Sequence, residues 1–255
     1  KFARRWIPLG QTIAVVSGKG GTGKTSFTAN TGMALAQLGH PTLCLDCDVG
    51  LRNLDIALAM TDRAVMDFTD VLNGYCSLAD AVVPHPQQRN LYLLTAPAGA
   101  EAASIDPQAF RSLFPLIAAR FDYCLVDAPA GLDAGFRLAV SGADRAVVVT
   151  TTDATSLRDA QRTVMELDHL GRGKVHLVVN RCRRKLLKSL HQTIDDAIDT
   201  AGLPLLGVVP EDETMPLHAG RGVPLLLSGN DCAAKAYRNI ARRIDGQRVP
   251  LMRIR

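Results

Sequence analysis

Nine consecutive residues, Ser17 to Thr25 (SGKGGTGKT), bring four glycines, two lysines and three hydroxyl side chains into one short stretch. The chemistry this mixture suits is polyphosphate binding. Phosphate oxygens need many donors close together, and glycine lets the backbone approach closely and take positive φ. Successive N–H groups then form a concave anion site, to which the start of a following helix adds its positive dipole end. Gly18, Gly23, Lys24 and Thr25 fit the pattern G-x-x-x-x-G-K-[ST], in which Lys24 reaches the β- and γ-phosphate oxygens and the Thr25 hydroxyl holds Mg²⁺. With Lys19, Gly20, Gly21, Thr22 and Ser26 these residues make up the phosphate-binding set.

Three further polar residues close apolar runs. Asp48 follows Pro41–Asp46 (PTLCLD), where a carboxylate can orient the attacking water or a Mg²⁺-bound water, or can simply cap the next turn. Asp127 ends Phe121–Asp127 (FDYCLVD), the form of a carboxylate that sits behind Mg²⁺. The metal candidates are therefore Thr25, Asp48 and Asp127. Asn180 ends Lys174–Asn180 (KVHLVVN) and has both a donor and an acceptor for a base edge.

The elements that must position these residues follow from periodicity. Ile13–Val16 reads as a buried parallel strand, and Phe27, Thr31, Ala34 and Leu38 recur at helical spacing after the loop. Strands are predicted over 41–46, 91–95, 121–127, 145–150, 174–180 and 205–209. Helices are predicted over 65–72, 78–83, 107–119, 156–170 and 231–245, with Asp106 capping the third, Pro107 in its first turn and Pro115 kinking or splitting it. Alternating strands and helices imply an α/β fold, a doubly wound, mostly parallel sheet with the nucleotide at the carboxyl ends of its strands. The expected organisation is a basic extension (1–11), one domain (12–245) and a short tail (246–255).

Composition narrows the classes. The chain has 255 residues, 47% of them hydrophobic, enough for one large core. A net charge of +4 does not by itself argue for nucleic acid, and no run of 18 apolar residues is present to span a membrane. Lys1–Trp6 is basic but lacks a following apolar stretch of the kind a secretory signal needs, and the chain opens on Lys, so its ends are not taken as native ones. Six cysteines are scattered; Cys44 and Cys47 form a C-x-x-C, but on a strand they point to opposite faces, which disfavours a metal or redox pair. Reduced thiols and a cytoplasmic location fit this usage. The histidines show no metal-ligand spacing. Arg181, Arg183, Arg184, Lys185 and Lys188 form a basic cluster that reads as a solvated face or as a non-specific nucleic-acid contact, without aromatic residues to stack bases.

Lys19, directly after the first glycine of the loop, resembles the deviant Walker motif of the MinD/ParA family of ATPases. Spacing alone shows a second cation beside a phosphate site, and a solvated loop lysine is the other reading. The resemblance implies that Lys19 crosses a nucleotide-sandwich homodimer to touch the partner's phosphates and joins Lys24 and Asp48 as a catalytic group. Asp48–Asp55 (DVGLRNLD), with Asn53, is similar to the switch region of the MinD branch and gives Asp48 the hydrolysis role. Ala128–Gly131 (APAG), with Pro129 and Gly131, resembles the second switch. Leu157-Arg158-Asp159 resembles the S-x-R-D element used by partner proteins, although Asp159 also reads as a solvated helix face and Gln161 stands where relatives commonly carry an acid. The family holds adenine in two strand-end turns, here Asn180-Arg181 and Pro210-Glu211-Asp212.

The resemblance runs from Thr12 to about Asp245. It implies ATP and Mg²⁺ as cofactors, hydrolysis in an ATP-bound homodimer, and septum placement through a MinC-type inhibitor and an activating or topological factor. It also implies a peripheral membrane site at the inner face of the cell membrane. Gly246 and Pro250 break the last helix and leave Leu251–Arg255, little more than one turn, so either an anchoring helix lies beyond Arg255 or anchoring relies on dimer avidity or on Phe2, Trp6 and Ile7. Two competing readings are a ParA-like ATPase positioning DNA or other cargo, and a nucleotide-gated scaffold with negligible turnover.

Overall fold

Along β1 (Gln11–Val16) the side chains alternate between two apolar layers: Ala14 and Val16 enter one, Ile13 and Val15 the other. A strand covered on both faces is what a continuous apolar run with no polar alternation requires. The computed structural model describes residues 10–183, 193–215, 218, 223–228 and 232–252. Its strands are β1, β2 (Thr42–Asp46), β3 (Val83–Pro84), β4 (Leu91–Leu94), β5 (Tyr123–Asp127), β6 (Arg145–Thr150), β7 (Val175–Cys182) and β8 (Leu205–Pro210). They form one sheet in the order β3-β4-β2-β5-β1-β6-β7-β8, parallel throughout except for the β3–β4 edge pair.

One layer is built by α1 (Lys24–Gln37), α2 (Leu54–Ala57), α10 (Leu225–Ser228) and α11 (Cys232–Ile244), with Phe27, Met33, Tyr237 and Ile240 in its interior. The other holds α3 (Phe68–Leu72), α4 (Leu78–Ala81), α5 (Pro107–Arg111), α6 (Leu113–Ala118), α7 (Ala134–Val140), α8 (Ala154–Glu166) and α9 (Ile194–Ala201), around Phe68, Phe110 and Phe136. Cys44 and Cys47 lie in opposite layers, as a strand dictates, and all six thiols are free.

Several element boundaries differ from those the sequence suggested. The helix predicted from Val65 begins at Phe68, because the Asp67 carboxylate accepts from the N–H groups of Thr69 and Asp70 and so caps it there. The helix predicted over 78–83 ends at Ala81; Val83 and Pro84 pair instead as a short antiparallel edge strand. Over 107–119 the helix is split as Pro115 led one to expect, with the break at Ser112, which places the proline in the first turn of α6, where its missing N–H costs no bond. The helix predicted over 156–170 starts at Ala154 behind its Asp153 cap and becomes 3₁₀ at Asp168–Leu170.

At the opposite end of the sheet from the glycine loop, His40 sits between Asp122 (3.1 Å) and Asp245 (3.0 Å), tying the end of α11 to the start of β5. Arg145 donates to the Ile244 carbonyl and so places a guanidinium at that helix terminus. Among the described residues no helix is long and apolar enough to cross a membrane. Phe2, Trp6, Ile7, Arg184, Lys185, Lys188, Asp231 and Arg253–Arg255 lie outside the described residues.

Candidate nucleotide site

The loop after β1 takes its shape from glycine. Gly21 (φ 80°) and Gly23 (φ 87°) are left-handed, and Gly23 is the residue before α1. No side chain caps α1 and no acid lies in its first turn, which leaves the helix N–H groups and dipole to an anion. A Cβ at Gly18 would stand 2.5 Å from the Asp159 carbonyl oxygen, so α8 packs backbone-to-backbone on the loop. Asp159 itself is half-buried, its carboxylate 4.0 Å from Arg162, and Arg158 and Gln161 beside it are exposed.

Behind the loop the charged groups converge. Asp127 is enclosed, and its Oδ2 accepts from Thr25 Oγ1 (2.7 Å) while its Oδ1 accepts from Thr28 Oγ1 (2.8 Å). Burial pushes its carboxyl up to about 6 against the hydrogen bonds from Thr25 and Thr28 and the Lys24 charge, all of which pull it down. Lys24 is buried, which lowers its ammonium pKa, while the charges of Asp127 and Asp48 oppose that shift. Asp48 is half-buried and raised by desolvation, with Lys24 lowering it. Lys24, Thr25, Asp48 and Asp127 thus form one electrostatic group. Lys19 stands apart: its side chain is 47% exposed, with Nζ 3.9 Å from Asp153. Asp153 is held near 2, since hydrogen bonds from Thr151 and Ser156 and the Lys19 charge outweigh its partial burial.

Two residues in this cluster carried no sequence signal of their own. Asp46 reads as the last residue of a strand, yet its Oδ1 accepts from the Asp48 N–H (2.9 Å) and its Oδ2 from the Leu54 N–H (3.1 Å). One buried carboxylate therefore gathers both ends of the loop that carries Asp48. Thr28 reads as helix interior and is a donor to Asp127. The D-x-D of Asp46 and Asp48 was the only available hint for the first; nothing short of the α1–β5 packing identifies the second.

On the other side of the loop a cavity of about 580 Å³ is lined by Gly21, Gly23, Ser26, Asn180, Pro210 and Asp212 among others. The Asn180 Nδ2 donates to the Thr22 carbonyl (2.8 Å), so one N–H of the amide that sequence offered as both donor and acceptor is engaged, with the other N–H and Oδ1 left. Arg181, at φ 52°, donates to the Gly21 carbonyl (3.2 Å) and pairs with Glu211 (3.1 Å), which also binds Arg183. The Asn180-Arg181 turn therefore grips the phosphate loop, Glu211 holds Arg181 from the second turn, and both turns line the cavity. Asn53 is exposed at the start of α2; Pro129 packs on Gly135, and Gly131 turns at φ 91° just beyond Asp127.

The donor set suits a hard cation that arrives with its anion. Among the described residues no three acidic or imidazole groups converge to hold an ion unaided. A hydroxyl backed by a carboxylate, with open anion-binding N–H groups beside it, matches Mg²⁺, which keeps waters and takes substrate phosphates as ligands.

Residues 13–225 match the CobQ/CobB/MinD/ParA nucleotide binding domain. The chain belongs to the MinD/ParA family. It is 40% identical to the septum site-determining protein MinD of Thermotoga maritima over 246 residues, covering 95% of this chain and 91% of that one. Among solved structures it resembles MinD in the MinC:MinD cell division protein complex of Aquifex aeolicus, at 36% identity and TM-score 0.88, covering 95% of this chain and 98% of that one. It also resembles the septum site-determining protein MinD of Pyrococcus horikoshii complexed with Mg-ADP, at 30% identity and TM-score 0.82, covering 92% and 96%. The glycine loop thus has the buried Asp127 carboxylate behind it and the exposed Lys19 at its open side.

Proposed function

We propose that this chain is an ATP-dependent dimerisation switch of the MinD type, an ATPase that places the division septum through a MinC-type inhibitor. The observation that carries the reading is the Thr25–Asp127 hydrogen bond at the uncapped start of α1, with Lys24 and Asp48 in the same electrostatic group. Mg²⁺, when bound, would offset the charge of the terminal phosphates. Thr25, backed by Asp127, and the neighbouring Asp48 are the residues that would hold it. Gly18–Ser26 cradle the phosphates, and Lys24 faces the β- and γ-oxygens. Asp48 orients water for in-line attack on the γ-phosphate, its place set by the two N–H groups on Asp46.

Lys19 is the trans-acting cation in this reading. Exposed and, among the described residues, held by a long contact to Asp153, it can leave for a partner's phosphates. The turns Asn180-Arg181 and Pro210-Glu211-Asp212 take adenine. Asn53, Pro129, Gly131 and Asp159 form the surface whose shape follows the γ-phosphate and which the inhibitor and an activating factor read. The 12–245 stretch acts as the ATPase domain, and the dimer acts peripherally at the inner membrane face, where two copies of an anchor add through avidity.

The deciding experiment is light scattering after size exclusion on the Asp48→Ala variant with Mg-ATP and with Mg-ADP. The reading requires a doubling of mass with ATP alone. Identical profiles would leave a static nucleotide binder, and steep salt-dependent DNA binding with ATP would move the chain to the cargo-positioning branch.

A further inference from the structure

Each oxygen of Asp127 has its own hydroxyl donor, Thr25 on Oδ2 and Thr28 on Oδ1. The two threonines are three residues apart on α1 and so share a face. Their surroundings differ. Thr25 is half-buried where loop meets helix, whereas Thr28 has no solvent exposure and cannot touch a ligand. The Thr28 hydroxyl also lies 3.1 Å from the Lys24 carbonyl, but it has a single proton, and an ionised carboxylate is the stronger acceptor.

The terminal torsion of an aspartate is broad, so a carboxylate held at one oxygen can swing while one held at both cannot. We propose that Thr28 is a positioning residue that locks the plane of the Asp127 carboxylate, so that the Thr25–Asp127 pair meets Mg²⁺ in a single orientation. This rests on the reading of Asp127 as the acid behind the metal. Thr28 does its work through Asp127, and the fold supplies the reason it is a threonine: a purely apolar residue at this position would leave Oδ1 of an enclosed carboxylate without a donor.

The test titrates Mg²⁺ into the full chain with a fluorescent ADP, alongside ADP binding in excess chelator. Thr28→Val keeps the shape and removes the hydroxyl; Thr28→Ser keeps the hydroxyl and removes the methyl. Losing one hydrogen bond to a charged group should weaken Mg²⁺ binding by about tenfold or more in the Val variant and leave metal-free ADP binding within about twofold. The Ser variant should stay within about threefold of wild type. A Val variant with wild-type Mg²⁺ affinity overturns the proposal, as does a Ser variant as weak as Val, since packing would then be the cause. If Thr28→Val does not fold, Thr28→Ala takes its place. Failure of both hydroxyl-free variants to bind metal-free ADP also overturns it, because the residue would then serve the helix. Asp127→Asn, run in parallel, separates the two layers: unchanged Mg²⁺ affinity there defeats the reading of Asp127, whereas a loss there without one in Thr28→Val defeats the role of Thr28 alone.

Discussion

Asp46 and Asp127 are direct neighbours across the β2–β5 ladder, two acids side by side at the carboxyl end of the sheet, 0% and 1% exposed. Burial, and then the charge of Asp127, lift Asp46 to about 7; burial lifts Asp127 to about 6. Both values lie above those of the unfolded chain, so their contribution to stability is complete below pH 4 and is lost as pH rises through 6 to 7. In nucleotide-free protein, Asp46→Asn removes one of these titrations. Its melting temperature relative to wild type should therefore rise by several degrees between pH 5 and pH 8. Parallel melting curves for the two proteins across that range would refute the shift.

The two lysines of the loop should separate in binding and turnover. Lys24 is buried under the anion site and Lys19 is half exposed beside Asp153. Lys24→Ala should abolish measurable ATP binding by calorimetry. Lys19→Ala should retain binding yet lose dimer-dependent hydrolysis by roughly 10³-fold or more, the scale of trans-acting cations in phosphoryl transfer. Normal turnover by a Lys19→Ala dimer would remove the trans role.

Gly18→Ala should destabilise the protein, because the new Cβ meets the Asp159 carbonyl oxygen at 2.5 Å and neither backbone can yield cheaply. A cost of about 1–3 kcal/mol is expected from overpacking, read by urea unfolding. Gly39→Ala is the control: its φ of 98° strains the backbone, but nothing lies near a Cβ there. A smaller loss at Gly18 than at Gly39 would contradict the packing of α8 on the loop.

Asn180 should select adenine. One Nδ2 hydrogen is held on the Thr22 carbonyl and Nδ2 packs against Gly23, which leaves Oδ1, an acceptor, for a base in the cavity it lines. Adenine presents a 6-amino donor where guanine presents the O6 acceptor. ATP should therefore bind about tenfold or more tighter than GTP, a difference of one hydrogen bond, and Asn180→Ala should narrow that gap. Competition binding in which GTP displaces as well as ATP would exclude the assignment.

Much of this was present in one dimension. The order of residues in Ser17–Thr25 pointed to a phosphate site, because glycine geometry and helix polarity are local properties that spacing alone conveys. The apolar runs ending at Val16, Asp46, Asp127 and Asn180 likewise marked buried parallel strands with their polar residues at one end. Helix boundaries were less legible. Asp67 set one through its carboxylate, which accepts from two backbone N–H groups, and another fell at Ser112, details that a hydrophobic pattern does not record.

The tertiary structure alone decided which side chains share an atom. Thr28 meets Asp127 across 99 residues, and Asn180 reaches Thr22 across 158, because β5 and β7 end beside the start of α1. Asp46 became the holder of the Asp48 loop only when the chain curled back to bring Leu54 over it. Periodicity fixes which face a residue takes, whereas a hydrogen bond depends on ångström-scale distances set by packing between layers.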